Sequence, residues 1–220
     1  MIKGIIFDLD GTLLNTLGDL TSAVNKLMIN NGYPTYSEDD VRIRIGKGFK
    51  NLISRCIPIE IEDCLLDKKV EEFKSYYFSN LIDKTKPYVG INELINELKK
   101  RDIKIGVNSN KGNEPTKELI KYFFNLNDDY VLGKREGFNI KPDPANNNEI
   151  ISKMNLNKDE ILYVGDSSVD YLTGLNSNLK TVLVSWGFVD KKDLLVYDVT
   201  IIDKPSELLS IIDKEEGRYE

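Results

Sequence analysis

The segment Asp8-Leu9-Asp10-Gly11-Thr12 sets two carboxylates two residues apart, directly after the apolar run Ile5-Ile6-Phe7. In extended chain such residues project to the same side, so Asp8 and Asp10 can address one site. Neighbouring carboxylates repel each other, and a divalent cation relieves that repulsion. Asp8 is then suited to nucleophilic attack, while Asp10 can protonate a leaving oxygen and later activate water. Gly11 permits a tight turn, and the Thr12 amide and hydroxyl can hold the loop. A D-x-D-G-T match arises by chance in such a chain roughly a few times in a thousand.

Three later segments carry polar groups suited to the same chemistry. In Val107-Asn108-Ser109-Asn110-Lys111, a hydroxyl and an amide (Ser109, Asn110) stand at a strand end, where they could donate to phosphoryl oxygens. In Lys141-Pro142-Asp143-Pro144 the prolines stiffen the backbone, which could hold the Lys141 ammonium as a point charge against nucleophile and phosphate. In Val164-Gly165-Asp166-Ser167-Ser168-Val169-Asp170, an acid at a strand end is followed by another across the first helical turn. That pair could meet a hard cation and orient Lys141. Taken singly, these three also read as an ordinary turn, a solvated lysine and a helix start with favourable acids. Their force lies in their order along one chain.

The surrounding elements must bring these strand ends together. From Leu17 the apolar spacing becomes helical through Leu20, Val24, Leu27 and Met28. Ser37, with an acid three places on, predicts an N-cap for a helix running through Val41 and Ile45. A third helical pattern passes through Leu65, Val70, Phe73, Tyr77 and Leu81, so residues 15–86 read as all-helical. After Lys86-Pro87-Tyr88-Val89-Gly90, helices alternate with short β-branched strands: Ile103 to Val107, Tyr130 to Leu132, Ile161 to Val164, Thr181 to Val184 and Val199 to Ile202. Such alternation predicts parallel pairing with right-handed crossovers. The expected fold is α/β: a Rossmann-like, doubly wound parallel sheet from residues 1–14 and 87–220, interrupted by an α-helical cap at 15–86. In such sheets ligands bind at the carboxyl ends of the strands.

Composition narrows the chemistry further. The chain has 220 residues, 40% hydrophobic and 30% charged, with a net charge of −6, which disfavours general nucleic-acid or membrane-surface binding. An acidic protein acting on anions must concentrate positive charge locally. The absence of histidine removes Ser-His and Cys-His catalysis and His-ligated zinc. Cys56 and Cys64 are expected to be reduced, half-buried helix residues. With no credible signal peptide and no apolar stretch near the ~20 residues that span a bilayer, a cytoplasmic location is expected. Trp186 is expected to pack near the rim of the site, and Asp213 to Glu220 to form a charge run, either a solvated helix end or disorder.

With these motifs in this order, the sequence resembles the haloacid dehalogenase superfamily, and within it the phosphoglycolate phosphatase group. The resemblance rests on Asp8 and Asp10, Ser109, Lys141, and Asp166 with Asp170, and extends to Lys86-Pro87-Tyr88-Val89-Gly90. It implies Mg²⁺ held by Asp8, the Asp10 carbonyl and Asp166, and an aspartyl-phosphate intermediate on Asp8. Thr12, Ser109, Asn110 and Lys141 would bind the phosphoryl group, with Asp170 steering Lys141 or reaching the metal through water. Val41-Arg42-Ile43-Arg44-Ile45-Gly46-Lys47-Gly48 resembles the group's substrate-facing segment, which makes Arg42 and Lys47 candidate specificity residues. The cap would close over the site, with hinges near Asn15-Thr16 and Val89-Gly90. The expected partner is a small phosphorylated metabolite, as monomer or homodimer. Serine at position 109, where this group often has threonine, and Gly174-Leu175-Asn176-Ser177-Asn178 depart from the pattern and loosen the link to phosphoglycolate itself. A hexose-phosphate mutase or pyrophosphatase on the same scaffold, a dehalogenase and a non-enzymatic regulator are the alternative readings.

Overall fold

The computed structural model describes residues 1–45 and 48–215. The chain divides into two compact units, Asn15–Lys86 and Met1–Leu14 with Pro87–Glu220.

In the first unit, helices α1 (Leu17–Asn30), α2 (Glu38–Arg42), α3 (Gly48–Cys56) and α4 (Asp63–Phe78) pack together. The stripe Leu20, Val24, Leu27 and Met28 is buried, as its spacing requires. Ser37 caps α2: its Oγ accepts from the Asp40 amide at 3.2 Å while the Asp40 carboxylate accepts from the Ser37 amide at 3.1 Å. The helix stops at Arg42 rather than reaching Ile45, because Ile43 is exposed and no apolar face continues. In α4 it is Leu66, not Leu65, that turns inward. Helix α3 was not expected from the pattern; its Phe49 meets Phe73 edge-on at 5.1 Å. Cys56 is buried and Cys64 exposed, so neither is half-buried; burial pushes the Cys56 thiol up to about 11. Asp19 is buried, and its two oxygens accept the amides of Lys84, at 3.0 and 3.1 Å, and Thr85, at 2.8 Å.

The second unit is a six-stranded sheet: β1 (Gly4–Phe7), β2 (Lys104–Gly112), β3 (Val131–Lys134), β4 (Ile161–Gly165), β5 (Lys180–Val184) and β6 (Thr200–Ile202). Every pairing is parallel and the spatial order is β3-β2-β1-β4-β5-β6. Helices α5 (Ile91–Lys100), α6 (Asn113–Phe123), α7 (Ala145–Met154), α8 (Ser168–Ser177), α9 (Lys191–Leu194) and α10 (Ser206–Glu215) complete it. Strand β1 is buried along its whole length, which explains its unbroken apolar run. The strand order reverses direction between β1 and β4, so the crevice that accepts ligands in such sheets lies at their carboxyl ends.

One expectation needs correction. Strand β2 runs on from Val107 to Gly112, and its register against β3 shifts between Asn108 and Gly112. That irregularity falls on Ser109 to Lys111. As far as Glu215 the charge run at Asp213 is a helix end, one of its two readings: it closes α10, which buries Leu208 and Ile212, and Asp213 accepts from Arg101 at 2.7 Å. The tail beyond Glu215 lies outside the described residues. Among those described, no helix is long and apolar enough to cross a membrane.

Candidate active site

Asp8 follows β1, Ser109 lies in the irregular end of β2, and Asp166 follows β4, the strand beside β1. The Asp8 amide donates to Val164 of that neighbour at 2.8 Å, which fixes the height at which the carboxylate leaves the sheet. Lys141, reaching in from the loop before α7, is buried and donates to Asp8 Oδ1 at 2.5 Å and to Asp170 Oδ1 at 2.7 Å. The structure therefore brings Asp8, Lys141, Asp166 and Asp170 together.

Asp170 answers two of its sequence readings at once. Its Oδ2 accepts from the Ser167 hydroxyl at 2.5 Å and amide at 3.1 Å, capping α8. Its Oδ1 accepts from Lys141 and from the buried Tyr163 hydroxyl at 3.0 Å. Both oxygens are thus taken up by donors, which suits an anchor for Lys141 better than a direct metal ligand.

Asp166 is held differently. Its Oδ2 accepts the Phe188 amide at 2.6 Å. Gly11 and Gly187 flank it so closely that a Cβ at either would stand 2.2 or 2.3 Å from Oδ2, and Gly11 also sits at φ +89°. Among the described residues no protein donor reaches Asp166 Oδ1 or Asp8 Oδ2.

The electrostatics follow from this crowding. Burial, with Asp170 and Asp8 nearby, pushes the Asp166 carboxyl well above the ordinary carboxylate range. Burial also raises Asp8, against the pull of Lys141, to about 7. Burial opposes the charge on Lys141, but Asp170 and Asp8 outweigh it and hold the ammonium well above the usual lysine value. Asp8, Asp166 and Asp170 each offer a carboxylate oxygen, all within 4.8 Å of one another. The mutual repulsion of these hard oxygen donors fits one divalent cation, with Asp8 and Asp166 the residues best placed to hold it.

The remaining candidates sort as follows. The Thr12 amide donates to Leu9 at 3.3 Å and so holds the loop, but among the described residues its buried hydroxyl has no partner. Ser109 is buried, and its Oγ accepts the Lys111 amide at 3.1 Å, leaving the hydroxyl proton to donate. The Asn110 side chain is committed to the Lys141 backbone, accepting its amide at 2.8 Å and donating to its carbonyl at 3.3 Å. It clamps the lysine rather than facing a phosphate. Arg42 pairs with Asp39 at 3.5 Å in the helical unit, and Lys47 lies outside the described residues.

Sequence reasoning assigned no role to Lys111 or to the asparagines behind the site, and only packing to Trp186. Lys111, one strand repeat beyond Ser109, is buried and reaches Asp10 Oδ1 at 3.1 Å; the two-residue spacing was its signal. Trp186 is more than packing, since its Nε1 donates to the Thr12 carbonyl at 3.1 Å. The Tyr88 hydroxyl is pushed up by burial and by Asp166 and Asp10, so it stays neutral beside them. Behind the site, Asn108 donates to Asn147 at 2.8 Å, Asn146 to Asn108 at 3.2 Å and Asn147 to Ser177 at 2.9 Å. This buried chain ties β2 to α7 and α8, and side-chain amides give no periodic signal that would reveal it.

Comparison with known proteins agrees with this arrangement. The family model of the haloacid dehalogenase-like hydrolases matches residues 5–184. A phosphoglycolate phosphatase from Aquifex aeolicus is 31% identical over 214 residues, covering 96% of this chain and 97% of that protein. Pyrophosphatase PpaX from Bacillus cereus is 29% identical, covering 96% of each. A crystal structure of a predicted phosphoglycolate phosphatase from Haemophilus somnus is 27% identical and superposes with a TM-score of 0.84, covering 96% of this chain and 98% of that one. On the sheet order, the acid-lined strand ends and a match over most of its length, the chain belongs to the haloacid dehalogenase-like hydrolases.

Proposed function

We propose that this phosphatase hydrolyses small phosphomonoesters in a Mg²⁺-dependent reaction that passes through a phosphoryl group on Asp8, with a phosphoglycolate-like substrate favoured. The observation that carries the reading is the Asp8 carboxylate, buried at the carboxyl end of β1 and pinned through one oxygen by Lys141 at 2.5 Å.

In the first half-reaction an Asp8 oxygen attacks phosphorus and the bond to the leaving oxygen breaks, with the Asp10 proton passing to that oxygen. In the second, Asp10 takes a proton from water. The resulting hydroxide attacks the same phosphorus, and inorganic phosphate and the Asp8 carboxylate are restored. Lys141, the Ser109 hydroxyl and the unpartnered Thr12 hydroxyl would bear on the phosphoryl oxygens. When bound, Mg²⁺ supplies positive charge against those oxygens and the crowded carboxylates. Phosphomonoester hydrolysis needs enhancements approaching ~10²¹ in extreme cases, and acid–base help supplies roughly 10²–10⁴. The larger share must therefore come from aligning Asp8 and from fixed positive charge. Substrate choice is assigned to Arg42 and Lys47, whose charge suits an anionic group beyond the phosphate.

The test is phosphate release, with and without Mg²⁺, from phosphoglycolate, pyrophosphate, a hexose phosphate and p-nitrophenyl phosphate. Hydroxylamine trapping of the acyl phosphate accompanies it. Mg²⁺-dependent release with trapped Asp8 acyl phosphate is expected. Release that persists in Asp8→Asn removes the nucleophile, and a substrate ranking unchanged in Arg42→Ala and Lys47→Ala removes those two residues. Isomerised sugar in place of phosphate would assign the site to a mutase.

A further inference from the structure

Lys111 is a buried cation that the proposed reaction does not use. A lysine is almost never fully buried unless paired, and this side chain is only 1% exposed. Its Nζ stands 3.1 Å from Asp10 Oδ1, while the Asp10 side chain keeps 20% of its surface accessible. One partner is thus fixed inside the protein, and the other keeps part of its side chain open to solvent.

The backbone explains how Lys111 gets there. The register of β2 against β3 shifts between Asn108 and Gly112, and such irregularities commonly re-aim side chains beside active sites. The Lys111 amide is held by Ser109 Oγ at 3.1 Å, and the next residue is held in turn by the Thr116 hydroxyl, which donates to the Gly112 carbonyl at 2.8 Å. Lys111 is therefore tethered at its amide and at its ammonium. Ser109, Lys111 and Asp10 form one connected unit across the ends of β2 and β1.

We infer that Lys111 is a positioning residue for Asp10: it anchors one carboxylate oxygen and so fixes the direction from which Asp10 passes a proton to the leaving oxygen. This rests on the reading of Asp10 as that proton donor. A carboxyl group on a loop, two bonds from the backbone, otherwise swings about χ1 and χ2. Proton transfer requires it within hydrogen-bond reach of one atom. Lys111 itself transfers no proton and touches no reacting atom.

The discriminating measurement is kcat/KM for an alkyl phosphate and for p-nitrophenyl phosphate, which reports events through departure of the leaving group. An alkoxide needs the proton and nitrophenolate scarcely does. In Lys111→Met, which keeps the stem and removes the charge, the alkyl-to-aryl ratio should fall about tenfold, a fraction of the roughly 10²–10⁴ available to acid–base catalysis. Lys111→Arg should recover part of that ratio. In Asp10→Asn the ratio should fall further, and adding Lys111→Met to that variant should change it less than twofold. Equal losses on both substrates in Lys111→Met, or losses that multiply in the double variant, overturn the inference. A ratio unchanged in Asp10→Asn overturns the reading of Asp10 itself. If Lys111→Met does not fold, judged by circular dichroism, Lys111→Gln carries the same comparison.

Discussion

Asp19 and Asp166 are both buried aspartates, one in the helical unit and one in the sheet unit, and they are satisfied in opposite ways. Asp19 accepts two backbone amides, those of Lys84 and Thr85, through both of its oxygens. It binds α1 to a distant stretch of chain. Asp166 accepts one amide, from Phe188, and otherwise faces Asp8 and Asp170. A buried carboxylate surrounded by neutral donors is a structural joint. One surrounded by like charge holds a binding free energy in reserve for a cation.

The largest expected effect tests whether the crowded side of this contrast is the working side. Asp8→Asn should lower turnover by about 10⁴–10⁶, the scale seen when a nucleophile is removed. Circular dichroism should stay unchanged, because Asn keeps the shape and the Lys141 contact. Asp19→Asn should keep normal turnover per folded molecule. Steady-state assays on both variants check this, and equal losses would erase the distinction.

Asp166→Asn sharpens the contrast through stability. Turnover should fall by about 10²–10³, as when a preorganised charge-stabilising group is lost. Yet in chelator the variant should melt above the wild type, because removing one carboxylate relieves the repulsion around Asp8. The sign follows from linkage. Asp8 rises from 3.8 to about 7 on folding, so the folded state binds more protons than the unfolded one in that window. Metal-free protein should therefore lose stability as pH rises from about 4 towards 7, the pull of Lys141 on Asp8 being already contained in that value. Mg²⁺ at 100 times its dissociation constant should restore about 2.7 kcal/mol in the wild type and much less in Asp166→Asn. Calorimetry with chelator and with Mg²⁺ at several pH values reads all of this. Wild-type stability flat across that range, with no metal shift, would remove the idea of reserved binding energy.

Asp19→Asn runs the other way. Replacing an acceptor-only carboxylate by an amide points a donor at donors, and an unsatisfied buried amide costs about 1–3 kcal/mol. At about 2–4 °C per kcal/mol for a chain of this size, the melting temperature should drop, with or without Mg²⁺. An unchanged melting temperature would show that water replaces the carboxylate at no cost.

The same contrast explains what the sequence could and could not convey. Asp8, Asp10 and Asp166 announce themselves because acids that end apolar strands break an otherwise sound pattern. Asp19 is silent, since an acid in the first turn of a helix is what the helix dipole favours anyway. The strand alternation made the sheet legible, and its boundaries moved by a residue or two except at β2. There the chemistry overrides the pattern, and polar residues 108–111 continue a strand that hydrophobic spacing would end. Asn110 shows the limit clearly. A turn-forming amide next to a serine looks like a phosphate donor, and only the fold reveals that both ends of its amide hold Lys141. Helix α3 escaped notice because it is short and adjoins a glycine-rich segment that weakens any periodic signal.

The smallest effect expected is at Trp186, a neutral joint placed at the edge of the charged region. Its Nε1–H···O bond to the Thr12 carbonyl is a single uncharged contact on a half-buried ring. Trp186→Phe removes the donor and keeps most of the ring, and water can reach the space on the open side. The loss should be about 1 kcal/mol, near the middle of the range for one neutral hydrogen bond, or a few degrees in melting temperature. Turnover should fall by less than tenfold, because Asp8 is placed by β1 and Lys141, and Asp166 by the Phe188 amide. The stabilisation by Mg²⁺ should be unchanged, since no charge has been altered. A fall in turnover beyond a hundredfold with that stabilisation intact would show that the Thr12 loop depends on this strut for its working shape. The division between neutral joints and charged machinery would then have to be redrawn to include it.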